Sequence, residues 1–297
     1  MLKFNSAAVA LLLLTSTAFA LDTARIEEIT GLKGALNEAE GVFKVSQPRD
    51  DVKVSVDGWP MPPFMGLTSW AAFAAGKKKA AMVMGDLVLF QDEVNPVMSA
   101  AFDAGLSVTA LHNHFFYDNP KVYFMHIGGE GDMEKLAGGV KAALGKAKEI
   151  RAAKKEMSTT FGAPSMPEKN SITSARLEDA LGVKGQAKDG MFKVVVGRTT
   201  KMPCGCEVGK EMGVNTWAAF AGTDDNAVVD GDFVVTEDEL QPVLKSLRAS
   251  NINIVAIHNH MTHEQPRMIF LHYWGRGRAV DLAGAVKAAL KLTASTL

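Results

Sequence analysis

Two stretches decide how this chain is read: Ala110-Leu111-His112-Asn113-His114, followed by His126, and Ala256-Ile257-His258-Asn259-His260, followed by His263 and His272. All seven histidines of the 297-residue chain fall in these clusters, and three positions recur at one spacing of 146 residues (112 to 258, 114 to 260, 126 to 272). Histidine is the commonest metal ligand and the side chain that titrates nearest neutral pH, so its confinement points to site chemistry.

The repeat extends well beyond the histidines. Ala24-Arg25-Ile26-Glu27 matches Ala175-Arg176-Leu177-Glu178, Phe43-Lys44-Val45 matches Phe192-Lys193-Val194, and Trp70-Ala71-Ala72-Phe73 matches Trp217-Ala218-Ala219-Phe220. Gly85-Asp86 matches Gly231-Asp232, Pro96-Val97 matches Pro242-Val243, and 136–144 matches 282–290 with one difference, Gly139 against Ala285. The preserved order implies a tandem copy of one domain, residues 21–150 and 173–297, joined by a polar, proline-bearing linker at 151–172. Such a linker leaves the copies free to pack face to face or to stay loose.

Each copy reads as mixed α+β with an antiparallel sheet. A short helix (23–29; 173–181) leads into alternating stretches such as Val52-Lys53-Val54-Ser55-Val56, then strands at 80–84 and 87–90 with Gly85-Asp86 as a turn between them. Thr236-Glu237-Asp238-Glu239 has capping-box spacing for a helix toward Leu247, which Pro242 either kinks or begins; Asn95-Pro96 suggests an asparagine cap with proline in the first turn. Strands at 107–115 and 122–127 then form a histidine-bearing β-hairpin, repeated from Asn253 to Tyr273, before an alanine-rich helix closes each copy. Trp70 and Trp217 read as core residues.

On a strand, His112 and His114 share a face, and an odd loop length brings His126 to it; His258, His260 and His272 repeat the arrangement. Three converging imidazoles match a three-ligand zinc site with an open fourth position, and copper is the other candidate metal. Asp118 and Glu264, four residues after each second histidine, are candidate fourth ligands, orienting groups or general bases. A histidine hydrogen-bond network without metal is the competing reading. His263 has no counterpart. Cys204 and Cys206 form a lone Cys-x-Cys pair, read either as a local disulfide or inert pair, or as a metal or redox group.

With 32 basic and 33 acidic residues, the net charge of −1 gives no global electrostatic case for nucleic acid. No nucleotide cofactor is indicated. Residues 1–20, with Lys3, an apolar run from Ala7 to Leu14 and Ala18-Phe19-Ala20, have the form of a cleavable secretory signal. The mature chain is expected in the periplasm or secreted, with no transmembrane segment after cleavage and no cysteine at the cleavage site for a lipid.

The blocks Val83-Met84-Gly85-Asp86-Leu87-Val88-Leu89, Ala110-Leu111-His112-Asn113-His114, Phe124-Met125-His126, 213–223 and Ile257-His258-Asn259-His260-Met261-Thr262 resemble the LppY/LpqO family of exported bacterial proteins. That resemblance implies export and a duplicated domain, and assigns no catalytic residue. Some relatives are named as lipoproteins, from which this chain departs by lacking a cysteine after its signal. Together these readings favour an exported two-domain metal-binding protein acting on an envelope ligand or metal. A metal-dependent hydrolase or lyase and a metal-free polysaccharide- or ligand-binding protein are the alternatives.

Overall fold

The computed structural model describes residues 21–294; the expected export signal lies outside them. The first repeat runs α1 (Thr23–Thr30), β1 (Gly34–Asn37), β2 (Val42–Pro48), β3 (Val54–Val56), β4 (Trp59–Met61), β5 (Thr68–Ala75), β6 (Ala81–Phe90), α2 (Val94–Asp103), β7 (Ser107–His112), β8 (Asp118–Asn119), β9 (Val122–Gly131) and α3 (Met133–Ala153). The second runs α4 (Ser174–Leu181), β10 (Gln186–Lys188), β11 (Met191–Gly197), β12 (Thr200–Lys201), β13 (Glu207–Val208), β14 (Asn215–Gly222), β15 (Ala227–Thr236), α5 (Glu237–Ala249), β16 (Asn253–His258), β17 (Met268–Gly277) and α6 (Ala279–Leu290).

Neither face-to-face packing nor a loose tether describes how the copies meet. They join edge to edge into one 12-stranded antiparallel sheet, β1-β2-β5-β6-β9-β7-β16-β17-β15-β14-β11-β10, whose second half reverses the order of the first. At the seam β7 pairs with β16 through Leu111 opposite Ile257, themselves equivalent positions of the repeat. A pseudo-twofold axis therefore passes through this pair. The physical reason is that β7 and β16 would otherwise each present an open, apolar sheet edge, and pairing them satisfies both.

Strand alternation sends one set of side chains to a helical layer. From β6 these are Ala81, Val83, Leu87 and Leu89; α3 meets them with Leu136, Val140, Ala143 and Ala147, a helical repeat of apolar positions. The buried apolar cluster runs without a break from Ile26 in the first repeat to Leu290 in the second. Two smaller clusters lie apart from this core, one around Val54, Leu67, Phe90 and Phe124, the other around Val208, Val214, Val234 and Phe270.

Several local expectations need correction. Gly85-Asp86 is not a turn: β6 is one ten-residue strand through it, as is β15 through Gly231-Asp232. The glycine is there for close approach, since a Cβ on Gly231 would stand 2.2 Å from Tyr273 Oη and one on Gly85 would stand 2.7 Å from Trp70 O. The Thr236–Glu239 capping box does start α5, and that helix continues through Pro242. Asn95 is no cap. It sits inside α2 and reaches across the seam, its Nδ2 donating to Ile254 O at 3.0 Å and its Oδ1 accepting from Ile254 N at 2.7 Å. Gln241 makes the reciprocal clamp on Val108, accepting from N at 3.1 Å and donating to O at 2.7 Å. Both clamps stand where the Val108/Ala110 and Ile254/Ala256 register shifts interrupt the regular ladder, and so supply partners the sheet itself does not.

Asn95→Ala should therefore expose both polar groups of Ile254 without partners and cost about 1–3 kcal/mol of stability. Gln241→Ala should behave alike, and the double variant should lower the midpoint of chemical denaturation further than either; an unchanged midpoint in both singles would contradict the clamp.

Candidate metal centre

Residues directly opposite one another in antiparallel strands share a face, and this fixes what surrounds the histidines. His126 stands opposite Asp86 on β6 and Ala110 on β7, and Asp86 in turn opposes Trp70 on β5. In the second repeat His272 stands opposite Asp232 and Ala256, and Asp232 opposes Trp217. His112 opposes Phe124, and His258 opposes Phe270. All of these side chains lie on the sheet face away from the helical layer, because their neighbours Met125, Ile127, Leu271 and Tyr273 face the core.

Extending the Leu111–Ile257 pair by one residue each way sets His258 across from Ala110 and His112 across from Ala256. The histidines of the two repeats thus form one strip over the pseudo-twofold axis, with His112 and His258 as diagonal neighbours, a separation of about 7–8 Å in a regular sheet.

Within the second repeat, Asp232, His258 and His272 place ligand atoms within 4.8 Å of one another. The His258 and His272 rings stack with centroids 4.8 Å apart. His260 joins from the start of the loop: its Nε2 lies 3.2 Å from His258 Nε2 and 3.4 Å from Asp232 Oδ2. Phe270 stacks on the His260 ring at 3.5 Å and fixes its plane. His272 is oriented by a contact of 3.3 Å between Nδ1 and Gly231 O. Two atoms of the cluster, Asp232 Oδ1 and His258 Nδ1, are buried with no hydrogen-bond partner.

The first repeat has the same parts in a looser arrangement. His112 and His126 stack at 5.2 Å, His114 stacks on Phe124 at 3.3 Å, and His126 Nε2 stands 3.9 Å from Asp86 Oδ2. Asp86 Oδ1 is again buried and unpartnered.

Electrostatics favour the neutral imidazole at His112, His114 and His258. Burial, reinforced by His272 and His260, pushes His258 down to about 4. His112 is lowered by burial and by His126, against Asp86; His114 is lowered by burial and by His112. Burial raises the Asp232 carboxyl, opposed by His272 and His260. Neutral imidazole is the form that coordinates metal, and a carboxylate raised by burial gains most from a cation beside it.

The six histidines expected as ligands are thus brought to one face. Asp118 and Glu264 are engaged elsewhere. Asp118 Oδ2 accepts from Val122 N at 2.7 Å and Oδ1 from Lys121 Nζ at 2.6 Å; Glu264 Oε1 accepts from Met268 N at 2.9 Å. Each buried carboxylate thus staples the loop to the strand that follows. The carboxylates beside the histidines are Asp86 and Asp232, which the sequence reads as turn residues with a functional role as the lesser alternative; their signal was an acidic residue recurring in the middle of an apolar strand. Trp70 and Trp217, expected in the core, are half-buried on the histidine face, with Lys44 Nζ 4.3 Å and Lys193 Nζ 4.4 Å from their ring centroids. They fall outside the core because β5 and β14 turn Ala71, Phe73, Ala218 and Phe220 toward the helices instead. His263 adopts a positive φ of 66° in the loop, and Cys204 and Cys206 are free and exposed in the turn between β12 and β13.

Fold and site together define a tandem-duplicated α+β protein whose two halves share one sheet. The chain belongs to the family described as Domain of Unknown Function (DUF1259), whose model matches residues 24–146 and again residues 175–292. No curated protein shows significant sequence similarity to the chain. Among solved structures, one similar chain is a trimeric bacterial microcompartment shell protein, PduB, 11% identical, covering 87% of this chain and 89% of that one with a TM-score of 0.23. Among the described residues no helix is long and apolar enough to cross a membrane.

Asp118→Ala, which removes a buried acceptor of a backbone N–H, should cost about 1–3 kcal/mol. Thermal denaturation of this variant and of Glu264→Ala checks the stapling role, which predicts a lowered melting temperature in each.

Proposed function

We propose that this is an exported metal-binding protein of the bacterial envelope, with one zinc-type site per repeat on the two histidine hairpins. The observation that carries this reading is the Asp232–His258–His272 group, with ligand atoms within 4.8 Å of one another and two of its polar atoms buried without a partner. A cation at that point would neutralise the buried Asp232 carboxylate and occupy the imidazole nitrogens gathered around it. Nitrogen and oxygen donors on a rigid sheet suit zinc or copper better than the all-oxygen shells of calcium or magnesium. His260 supplies a further donor in the second repeat, and Asp86, His112, His114 and His126 form the corresponding set in the first. The export half of the proposal rests on the signal-like residues 1–20 and the LppY/LpqO resemblance.

Metal binding is favoured here over metal-dependent hydrolysis. The carboxylates first considered as general bases, Asp118 and Glu264, hold loop backbone, while Asp86 and Asp232 stand among the ligands. The open face leaves the metal reachable by a partner or a small molecule.

Elemental analysis of protein recovered from the periplasm, followed by calorimetric titration of the metal-stripped protein with zinc and copper(II), tests the assignment. Stoichiometric metal is expected in the wild type, and His258→Ala with His272→Ala should weaken binding to the second repeat by on the order of a hundredfold or more. Copper(II) should also quench the fluorescence of Trp70 and Trp217, which flank the two carboxylates. Binding absent in the wild type, or unchanged in the double variant, would sink the proposal.

A further inference from the structure

A second feature lies on the helical side of the seam and contains none of the histidines. A cavity of about 530 Å³ opens where α2 of the first repeat, β16 and the end of α5 of the second, and the connecting segment around Ser158–Gly162 meet. That volume is within the range of small-molecule sites. Its walls are partly apolar, from Pro96, Tyr123, Phe161 and Val255, and one charged group on them lacks a counter-ion.

That group is Arg248. Its Nε donates to Ser99 Oγ at 3.1 Å, and its Nη1 to Ile252 O and Asn253 Oδ1, each at 2.9 Å. All three acceptors are neutral, Nη2 has no partner among the described residues, and none of their carboxylates stands within ion-pair distance of this half-buried guanidinium. Burial lowers its pKa with no acidic group to oppose it, in contrast to Arg49, which Glu93 and Asp51 hold up. An arginine stays charged, so its charge here lacks a counter-ion. Asp92, also on the wall, is already engaged: its Oδ2 accepts from Ser158 N at 2.8 Å and Arg151 Nη2 at 2.5 Å, and its Oδ1 is buried away from the open space.

The pseudo-twofold axis supplies an internal control. Arg248 and Ser99 correspond to Phe102 and Lys245 on the other side of the seam, where the contact is the Lys245 Nζ 5.8 Å from the Phe102 ring centroid. The connecting segment, present once, covers only the Arg248 side. Arginine, lid segment and cavity thus occur together on one side of an otherwise duplicated junction, and a purely structural role in joining the halves would not require that asymmetry.

We propose that this cavity binds a small organic carboxylate with an apolar side chain. The carboxylate accepts from the unused N–H groups of Arg248 Nη2, and the apolar part of the ligand lies against Tyr123 and Val255. A charge-assisted hydrogen bond from the unpaired guanidinium favours a carboxylate over its neutral amide, and the apolar wall disfavours inorganic phosphate.

The test is ligand-observed NMR and calorimetry on the full mature protein with a panel of small apolar carboxylic acids, each beside its primary amide, and with inorganic phosphate. At least one acid is expected to bind, with its amide and phosphate each about tenfold weaker or worse. Arg248→Gln should weaken the acid by at least about tenfold and leave its amide unaffected. Val255→Trp, which fills the cavity while keeping the arginine, should abolish binding and decides the matter if Arg248→Gln fails to fold. Zinc titration of both variants should match wild type. Equal binding of acid and amide, phosphate binding as tight as the acid, acid binding that survives Val255→Trp, or no acid bound at about 10 mM would each overturn the proposal.

Discussion

The pairing of β7 with β16 is the constraint on which the rest of this structure depends. Each repeat alone would end in a strand with unpaired backbone groups and apolar side chains, and a sheet edge of that kind seeks another strand. Here the two copies use each other. Because Leu111 faces its own equivalent Ile257, the union is nearly symmetric, and the reciprocal clamps of Asn95 on Ile254 and Gln241 on Val108 hold it where the ladder shifts register. The shared core and the single helical layer follow from that one junction.

The same junction places the chemistry. The histidines lie on the strands nearest the seam, so joining the edges converts two separate clusters into one strip across the pseudo-twofold axis. The halves have not stayed equivalent. In the second repeat His260 approaches Asp232 and Asp232, His258 and His272 converge, whereas in the first the nearest His–Asp approach is 3.9 Å. Away from this face the ion pairs serve the scaffold: buried Glu93 binds Arg49 and Arg151 behind β6, and Glu239 binds Arg198 at the corresponding place. A buried charge with its partners in place is structural, while Arg248, without one, stands out for that reason.

Much of this was legible in the chain. The duplication, the mixed α+β class and the opening and closing helices were readable because each rests on local order or on repetition. The odd loop length was an open condition, and the register of His112 against Phe124 answers it. Asp86 and Asp232 read first as turn residues because Gly-Asp is also a turn signal, and nothing local shows that Tyr273 and Ile127 cross over those glycines. Asp118 and Glu264 drew attention by their offset from the histidines, but a side chain four residues along a loop is as well placed to cap backbone as to reach a site.

What the sequence by itself determined is the inventory: two copies, alternating strands, histidines confined to matching positions and of one parity. Periodicity and repetition are one-dimensional properties, and the backbone geometry of strand and helix translates them directly. Tertiary structure alone decided that the copies share a sheet rather than face one another, that Asp86 and Asp232 join the histidines, and that the connecting segment and Arg248 border a cavity at the seam. Those outcomes depend on contacts between residues far apart in the chain, Leu111 with Ile257 and Asn95 with Ile254, and no local pattern encodes which distant edge a strand will choose.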